Sequence, residues 1–208
     1  MKTAQYRLTE LFILFVLVPI SLVIDISILV QIGISILAFL YVMFILIGVE
    51  TVKIHIKKNI DWKRFWKYTF IKFLVIAIIT YIYVLIAKPE HLFKPVKDDY
   101  RVWLLFLCIY TFMSVYIQEL IYRTFFFKRY KHLFKSENLF ILVNAALFSL
   151  AHIFFKNAIV MVITFVGGLL FALTFKNTKS TLLVFIEHAL YGCWLYTVGM
   201  GDMLGFPS

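Results

Sequence analysis

The sequence predicts an all-α fold, specifically a polytopic transmembrane helical bundle with about seven spans. Of the 208 residues, 63% are hydrophobic, and the mean hydropathy is +0.94. The apolar residues form long runs rather than the alternating pattern of a transmembrane barrel. We expect a single membrane domain over residues 1–208, with the lipid bilayer as its first partner.

The apolar runs set the order of the spans. Residues 11–49 would make about 58 Å of helix, which is barely two crossings of a roughly 30 Å core. This run therefore predicts a tight helical hairpin that turns near residues 25–31. The other five spans are predicted at residues 70–87, 102–127, 138–155, 158–175 and 181–198.

The basic residues predict the orientation of the chain. The formal net charge is +10, but the Lys and Arg residues lie in short segments between the apolar runs. This placement is typical of membrane topology and excludes nucleic acid as a partner. An amino terminus in the cytoplasm would leave 14 Lys and Arg residues inside and 5 outside. We therefore expect an integral protein of the plasma membrane with a cytoplasmic amino terminus.

Four ionisable residues inside the predicted spans are candidates for function. They are Glu119, Arg123, His152 and His188. Such residues are rare within a bilayer and usually mark a site. Counted from the predicted inside ends of their spans, Glu119, His152 and His188 lie at about 15, 22 and 14 Å by helical rise. The alternative for each is structural, with Glu119 and Arg123 as an i,i+4 ion pair and each histidine bonded to a neighbouring helix.

A carboxylate near two imidazoles can activate water. It can deprotonate a bound water and stabilise the oxyanion that forms when that water attacks an amide. The same three groups, Glu119, His152 and His188, could instead bind zinc and leave a fourth position for water. Glu187 could support His188, or it could face a lumen or another helix.

Three motifs resemble the signature of a known family, the CAAX protease and bacteriocin-processing (CPBP) family of intramembrane glutamate proteases. Its signature is E-E-x-x-x-R, then F-x-x-x-H, then H-x-x-x-N. QELIYR (residues 118–123) fits the first motif except at its leading position, and FSLAH (residues 148–152) fits the second in full. HALYG (residues 188–192) fits the third except at its last position. The resemblance covers residues 102–198.

The resemblance implies a hydrolase without a cofactor, similar to type II CAAX prenyl endopeptidases. It implies that Glu119 and His152 activate water, that His188 stabilises the oxyanion, and that Arg123 orients Glu119. The implied partners are peptide or protein substrates, either prenylated C-terminal tails or bacteriocin leader peptides.

Two positions depart from the signature. Gln118 stands where the family has its leading glutamate, and Gly192 stands where it has asparagine. Because glutamine cannot act as a general base, the first alternative is an inactive relative that binds a peptide or protein, for example in bacteriocin self-immunity. A small proton-coupled transporter is the second alternative.

Overall fold

The computed structural model describes residues 3–50 and 60–201, and the regular structure of these residues is helical throughout, without strands. Within these described ranges, seven helices are long and apolar enough to cross a membrane, which confirms the predicted fold class. They are α1 (Ala4–Ser21), α2 (Ile28–Val49), α3 (Trp62–Ala87), α4 (Tyr100–Leu133), α5 (Glu137–Phe155), α6 (Ala158–Thr178) and α7 (Thr181–Met200).

Short polar side chains begin six of these helices. Each accepts a hydrogen bond from a backbone N–H two or three residues further on, which satisfies a donor that the first helical turn leaves unpaired. The capping residues of α1, α3, α4, α5, α6 and α7 are Thr3, Asp61, Asp99, Ser136, Asn157 and Ser180.

The predicted hairpin is present, but its turn begins earlier than expected. Helix α1 ends at Ser21 and α2 begins at Ile28. Gln31 belongs to the first turns of α2, where its side-chain amide donates to the carbonyl oxygens of Leu22 and Ile24, at 3.4 and 3.1 Å. A polar residue expected within the turn thus fastens the turn from the following helix.

Two helices extend well beyond their apolar runs. Helix α3 begins at Trp62 rather than at residue 70, because Asp61 caps a segment whose Trp, Lys and Arg side chains suit an interface. Helix α4 has 34 residues, or about 51 Å by helical rise, which exceeds a roughly 30 Å apolar core. Its ends therefore reach beyond the apolar core unless the helix is strongly tilted.

The described residues group into two compact units. One contains residues 3–50 and 120–173, and the other contains residues 60–119 and 174–201. The chain changes unit inside α4, after Glu119, and inside α6, after Leu173. The single domain over residues 1–208 stays a prediction.

The first unit has an aromatic core beside a buried ionic cluster. The Phe15 ring lies 5.2 Å from that of Tyr122 and 5.9 Å from that of Tyr130. Arg129, which is fully buried, donates from two nitrogens to the carboxylate of Glu10, at 2.8 and 2.9 Å. Such bidentate, charge-assisted bonds are strong and directional, so they hold α1 against the end of α4.

The second unit closes around the end of α7. Phe93, in the segment between α3 and α4, donates its backbone N–H to the carbonyl of Val198 at 3.3 Å. Gly199 has a φ of 105°, and a Cβ placed there would overlap the His91 carbonyl oxygen. Only glycine combines this backbone conformation with so close an approach.

Several sequence features lie outside the described residues. They are Lys2, most of the basic segment after α2 (residues 51–59, with His55) and the tail at residues 202–208.

Candidate functional site

Glu119 and His188 form a buried pair in the second unit. The Nδ1 atom of His188 lies 2.7 Å from the Oε1 atom of Glu119. The relative exposure of the two residues is 7% and 0%. A carboxylate oxygen only accepts hydrogen bonds, so an ionised Glu119 requires the hydrogen of His188 to be on Nδ1. The structure thus brings together two of the four predicted site residues.

Tyr110 is a member of this group that the sequence analysis missed. Its hydroxyl lies 3.3 Å from Nε2 of His188, opposite the nitrogen that meets Glu119. Its ring stacks on Phe106, with centroids 6.0 Å apart and planes 9° apart. Tyr110 also begins a π-helical stretch, Tyr110–Val115, a feature that is frequent at functional sites. No sequence spacing could reveal this contact, because the two residues are 78 positions apart.

Gly192 is adjacent to the Tyr110 hydroxyl. It lies one helical turn after His188 on α7, at the position where the family signature has asparagine. A Cβ placed on Gly192 would overlap the hydroxyl and the adjoining ring atoms of Tyr110. The missing side chain at residue 192 therefore makes the room that Tyr110 occupies.

Gln118, the other departure from the signature, bonds within its own helix. Its side-chain amide donates to the hydroxyl of Ser114, four residues earlier, at 2.8 Å. Its Oε1 atom is buried and has no hydrogen-bond partner among the described residues. Gln118 thus brings an amide, with no ionisable group, to the position before Glu119.

Arg123 lies in the first unit, where it binds the second motif. It is fully buried, it donates to the side-chain oxygen of Asn144, and its guanidinium carbon lies 5.0 Å from the centre of the Phe148 ring. Asn144 and Phe148, four residues apart on α5, therefore form the surface that Arg123 contacts. The role of Arg123 in orienting Glu119 stays a prediction.

His152 also lies in the first unit, beyond the end of an α-helix. His152 lies within the span Glu137–Phe155, as expected, but the α-helical part of this span ends at Leu150. Its backbone N–H bonds the Ser149 carbonyl in a tighter turn, at 2.9 Å. Its Nδ1 atom lies 2.8 Å from the carbonyl oxygen of Phe148. Because a carbonyl only accepts, Nδ1 carries the hydrogen, and in the neutral ring Nε2 is an acceptor.

A second ion pair, which the sequence analysis did not predict, includes the residue that precedes His188. Glu187 is fully buried and pairs with Lys72 of α3. The Tyr191 hydroxyl also donates to Glu187, at 2.9 Å. Of the alternatives for Glu187, the structure shows contact with another helix. The sequence feature that could have predicted this pair is Lys72, since a lysine inside a predicted span needs a carboxylate partner.

The metal alternative receives no direct test from this arrangement. Among the described residues of each unit, no three His, Cys, Asp or Glu side chains are grouped so that they could hold a metal ion. Glu119 and His188 belong to one unit and His152 belongs to the other. Zinc binding by these three residues therefore stays a hypothesis.

Comparison with known proteins supports the resemblance seen in the motifs. Residues 100–194 match the family model described as type II CAAX prenyl endopeptidase Rce1-like. No curated protein and no solved structure gives a significant match to the chain. The matched region contains all three motifs, together with Tyr110 and Gly192. With seven helices in its described residues that are long and apolar enough to span a bilayer, the chain is an integral membrane protein. The match of residues 100–194 to the Rce1-like model is consistent with the resemblance to the CPBP family that the motifs predicted.

Proposed function

We propose that the protein is an intramembrane peptidase that hydrolyses peptide bonds with water activated by Glu119. The observation that carries the proposal is the 2.7 Å contact between the Glu119 carboxylate and Nδ1 of His188. Both groups are buried. A site of low polarity strengthens such an electrostatic interaction well beyond its strength in bulk water.

In the proposed reaction, Glu119 accepts one proton from a water molecule. The water oxygen then bonds to the carbonyl carbon of the substrate, and the carbonyl oxygen becomes an oxyanion. The same proton passes to the amine as the carbon–nitrogen bond breaks, which leaves a carboxylic acid and an amine. His188 holds the Glu119 carboxylate through Nδ1 and supplies positive character as the negative charge develops.

Substrates of the CAAX type, prenylated near the carboxyl terminus, are the first class that we propose. The family match in residues 100–194 supports this class. Bacteriocin-related leader peptides are the second class. Both would reach a membrane-embedded site from the bilayer, because a prenyl chain or an apolar helix partitions there.

The direct test is peptide cleavage by the purified protein in liposomes. We expect cleavage of a prenylated CAAX peptide library, and Glu119→Gln should lower kcat by at least about 100-fold, as expected for the loss of a general base. Glu187→Gln is the matched control, because it also replaces a buried glutamate with glutamine. Glu187 is next to His188 in sequence, but its carboxylate pairs with Lys72. The folded fraction of the Glu187→Gln protein should cleave peptides as fast as the natural protein. Full activity of Glu119→Gln would show that Glu119 is not the base.

A second candidate function is favoured by Gln118. Its amide bonds to Ser114, so the position that carries the leading glutamate in the family has no ionisable group. A relative that binds a peptide or protein without cleaving it would fit this arrangement. Gln118→Glu separates the two functions. An inactive binding protein should gain cleavage from this change, whereas a peptidase that relies on Glu119 should change little.

A further inference from the structure

We infer that Tyr110 is a positioning residue for His188 and takes the place of the asparagine that the third motif lacks. The inference rests on the proposed function for its catalytic meaning, while the contact itself can be tested without activity. The carrying observation is that one hydroxyl lies 3.3 Å from Nε2 of His188 and fills the space above Gly192.

The imidazole of His188 is held from both sides. Glu119 meets Nδ1 at 2.7 Å, and the Tyr110 hydroxyl meets Nε2. With the hydrogen on Nδ1, Nε2 of the neutral ring is an acceptor, so the Tyr110 hydroxyl donates to it. Two hydrogen bonds at opposite nitrogens fix both the tautomer and the orientation of the ring.

Tyr110 itself is well supported. Its ring stacks on Phe106, and Phe106 in turn packs on Tyr196 of α7, with ring centroids 3.9 Å apart. A buried tyrosine usually places its hydroxyl against a hydrogen-bond partner, and here that partner is His188. The two χ angles of tyrosine make it a rigid carrier for a polar group, so the hydroxyl has a defined position.

Residues 110 and 192 cannot both carry large side chains. An asparagine at residue 192 would place its Cβ where the Tyr110 ring and hydroxyl now lie. Glycine at 192 and tyrosine at 110 therefore form a matched pair. A hydrogen-bonding group beside His188 is kept, but α4 supplies it instead of α7.

During the proposed reaction, Tyr110 would act through His188. While Glu119 takes the proton from water and passes it to the amine, Nδ1 of His188 keeps its hydrogen toward Glu119 and Nε2 keeps accepting from the Tyr110 hydroxyl. Chemistry at Glu119 then proceeds without displacement of His188.

The first test measures the contact directly. Nitrogen-15 NMR of histidine-labelled protein, assigned with His188→Gln, reports the state of both ring nitrogens. Tyr110→Phe keeps the ring and removes the hydroxyl, so the Nε2 resonance should move. Tyr116→Phe is the matched control, because it removes a hydroxyl from an exposed tyrosine of the same helix. The ring of Tyr116 packs on Phe185 and not on His188. Unchanged nitrogen resonances of His188 in Tyr110→Phe would overturn the inference, whether or not the protein cleaves peptides.

The second test measures positioning through kinetics. Tyr110→Phe should lower kcat about tenfold, as expected for one lost hydrogen bond, and leave KM close to its original value. Gly192→Asn alone should lose activity, because its side chain overlaps Tyr110. Tyr110→Ala combined with Gly192→Asn should recover activity relative to either single change. A double variant no better than both single variants, or full activity of Tyr110→Phe, would contradict the inference. If the natural chain cleaves no peptide, the proposed function fails and the NMR result alone decides the positioning role.

Discussion

At the scale of single residues, a buried charge such as that of Glu187 is stabilised by the group that pairs with it. Glu187 is 0% exposed and pairs with Lys72, whose side chain is 28% exposed. Removing one member of a buried pair leaves an uncompensated charge, which is more costly than replacing both members. The pair thus offers a test of what stabilises the second unit.

Lys72→Met should destabilise the protein by about 3 kcal/mol, because Glu187 would keep the Tyr191 hydroxyl but lose its cation. Adding Glu187→Gln to this variant should recover much of the loss. Unfolding in detergent, followed by circular dichroism against denaturant, gives both values. Lys67→Met, an exposed lysine of the same helix, is the control and should be nearly neutral. Equal losses in Lys72→Met and Lys67→Met would show that the ion pair contributes little.

Metal removal separates the two chemistries left open by the motifs. If Glu119 is the general base, peptide cleavage should survive dialysis against a strong chelator, and elemental analysis should find less than stoichiometric zinc. Loss of activity on chelation with recovery on adding zinc would instead support Glu119, His152 and His188 as ligands.

At the scale of elements, close packing rather than charge joins α5 to α6. A Cβ on Gly168 would lie 3.0 Å from the Cα atom of Ala145 and 3.2 Å from its carbonyl oxygen. A Cβ on Gly167 would meet only the Phe171 ring, at 3.3 Å. Small residues that let helix backbones approach are a common packing device in membranes.

Gly168→Ala should therefore destabilise the protein by about 1–3 kcal/mol, because backbone atoms must move apart. Gly167→Ala should cost much less, since a flexible side chain can yield, and alanine favours the helix over glycine. Thermal unfolding of both variants in the same detergent provides the comparison. A larger loss for Gly167→Ala would contradict the packing argument.

The ionic cluster of the first unit gives a second prediction for elements. Glu10→Gln on α1 would remove the carboxylate that Arg129 meets with two nitrogens and keep the Glu50 carboxylate, which Arg129 contacts at 2.8 Å. The expected loss is about 3 kcal/mol in the free energy of unfolding, because a buried bidentate pair is broken. Glu137→Gln is the control, since this exposed glutamate pairs with Lys131 and should contribute less than about 1 kcal/mol. A neutral Glu10→Gln would mean that the aromatic core alone holds α1.

At the scale of the whole molecule, the charge asymmetry of the loops makes a prediction about topology. In a background of Cys108→Ser and Cys193→Ser, Lys94→Cys and Lys131→Cys each add one exposed thiol. If the amino terminus is cytoplasmic, an impermeant maleimide should label Lys94→Cys in intact cells. Lys131→Cys should react only after the membrane is permeabilised. The opposite pattern of labelling would reverse the orientation.

The sequence predicted the helices better than the contacts between polar residues. Hydropathy located all seven spans, because each needs about 20 apolar residues in succession. The motifs identified Glu119 and His188, and the structure joins them. Lys72 was foreseeable as a lone ammonium in a span, but Tyr110 was not, since an aromatic residue in an apolar run has no distinguishing pattern. Gly192 looked like a lost side chain, although its role depends on the residue that fills the space.

The pairing of Glu119 with His188 has a consequence for how the protein is made. The two residues are 69 positions apart, and Lys72 and Glu187 are 115 apart. A nascent chain emerges in order, at roughly 5–20 residues per second, so α3 and α4 reach the translocon several seconds before α7. During this interval Lys72 and Glu119 have not yet met their partners on α7, and an ionisable group in hydrocarbon is costly. Arg123 meets its partner Asn144 sooner, because Asn144 follows it by only 21 positions. A ribosome that stalls before α7 would therefore leave Lys72 and Glu119 without the contacts that α7 supplies, a difference by which quality-control proteases could recognise an unfinished copy.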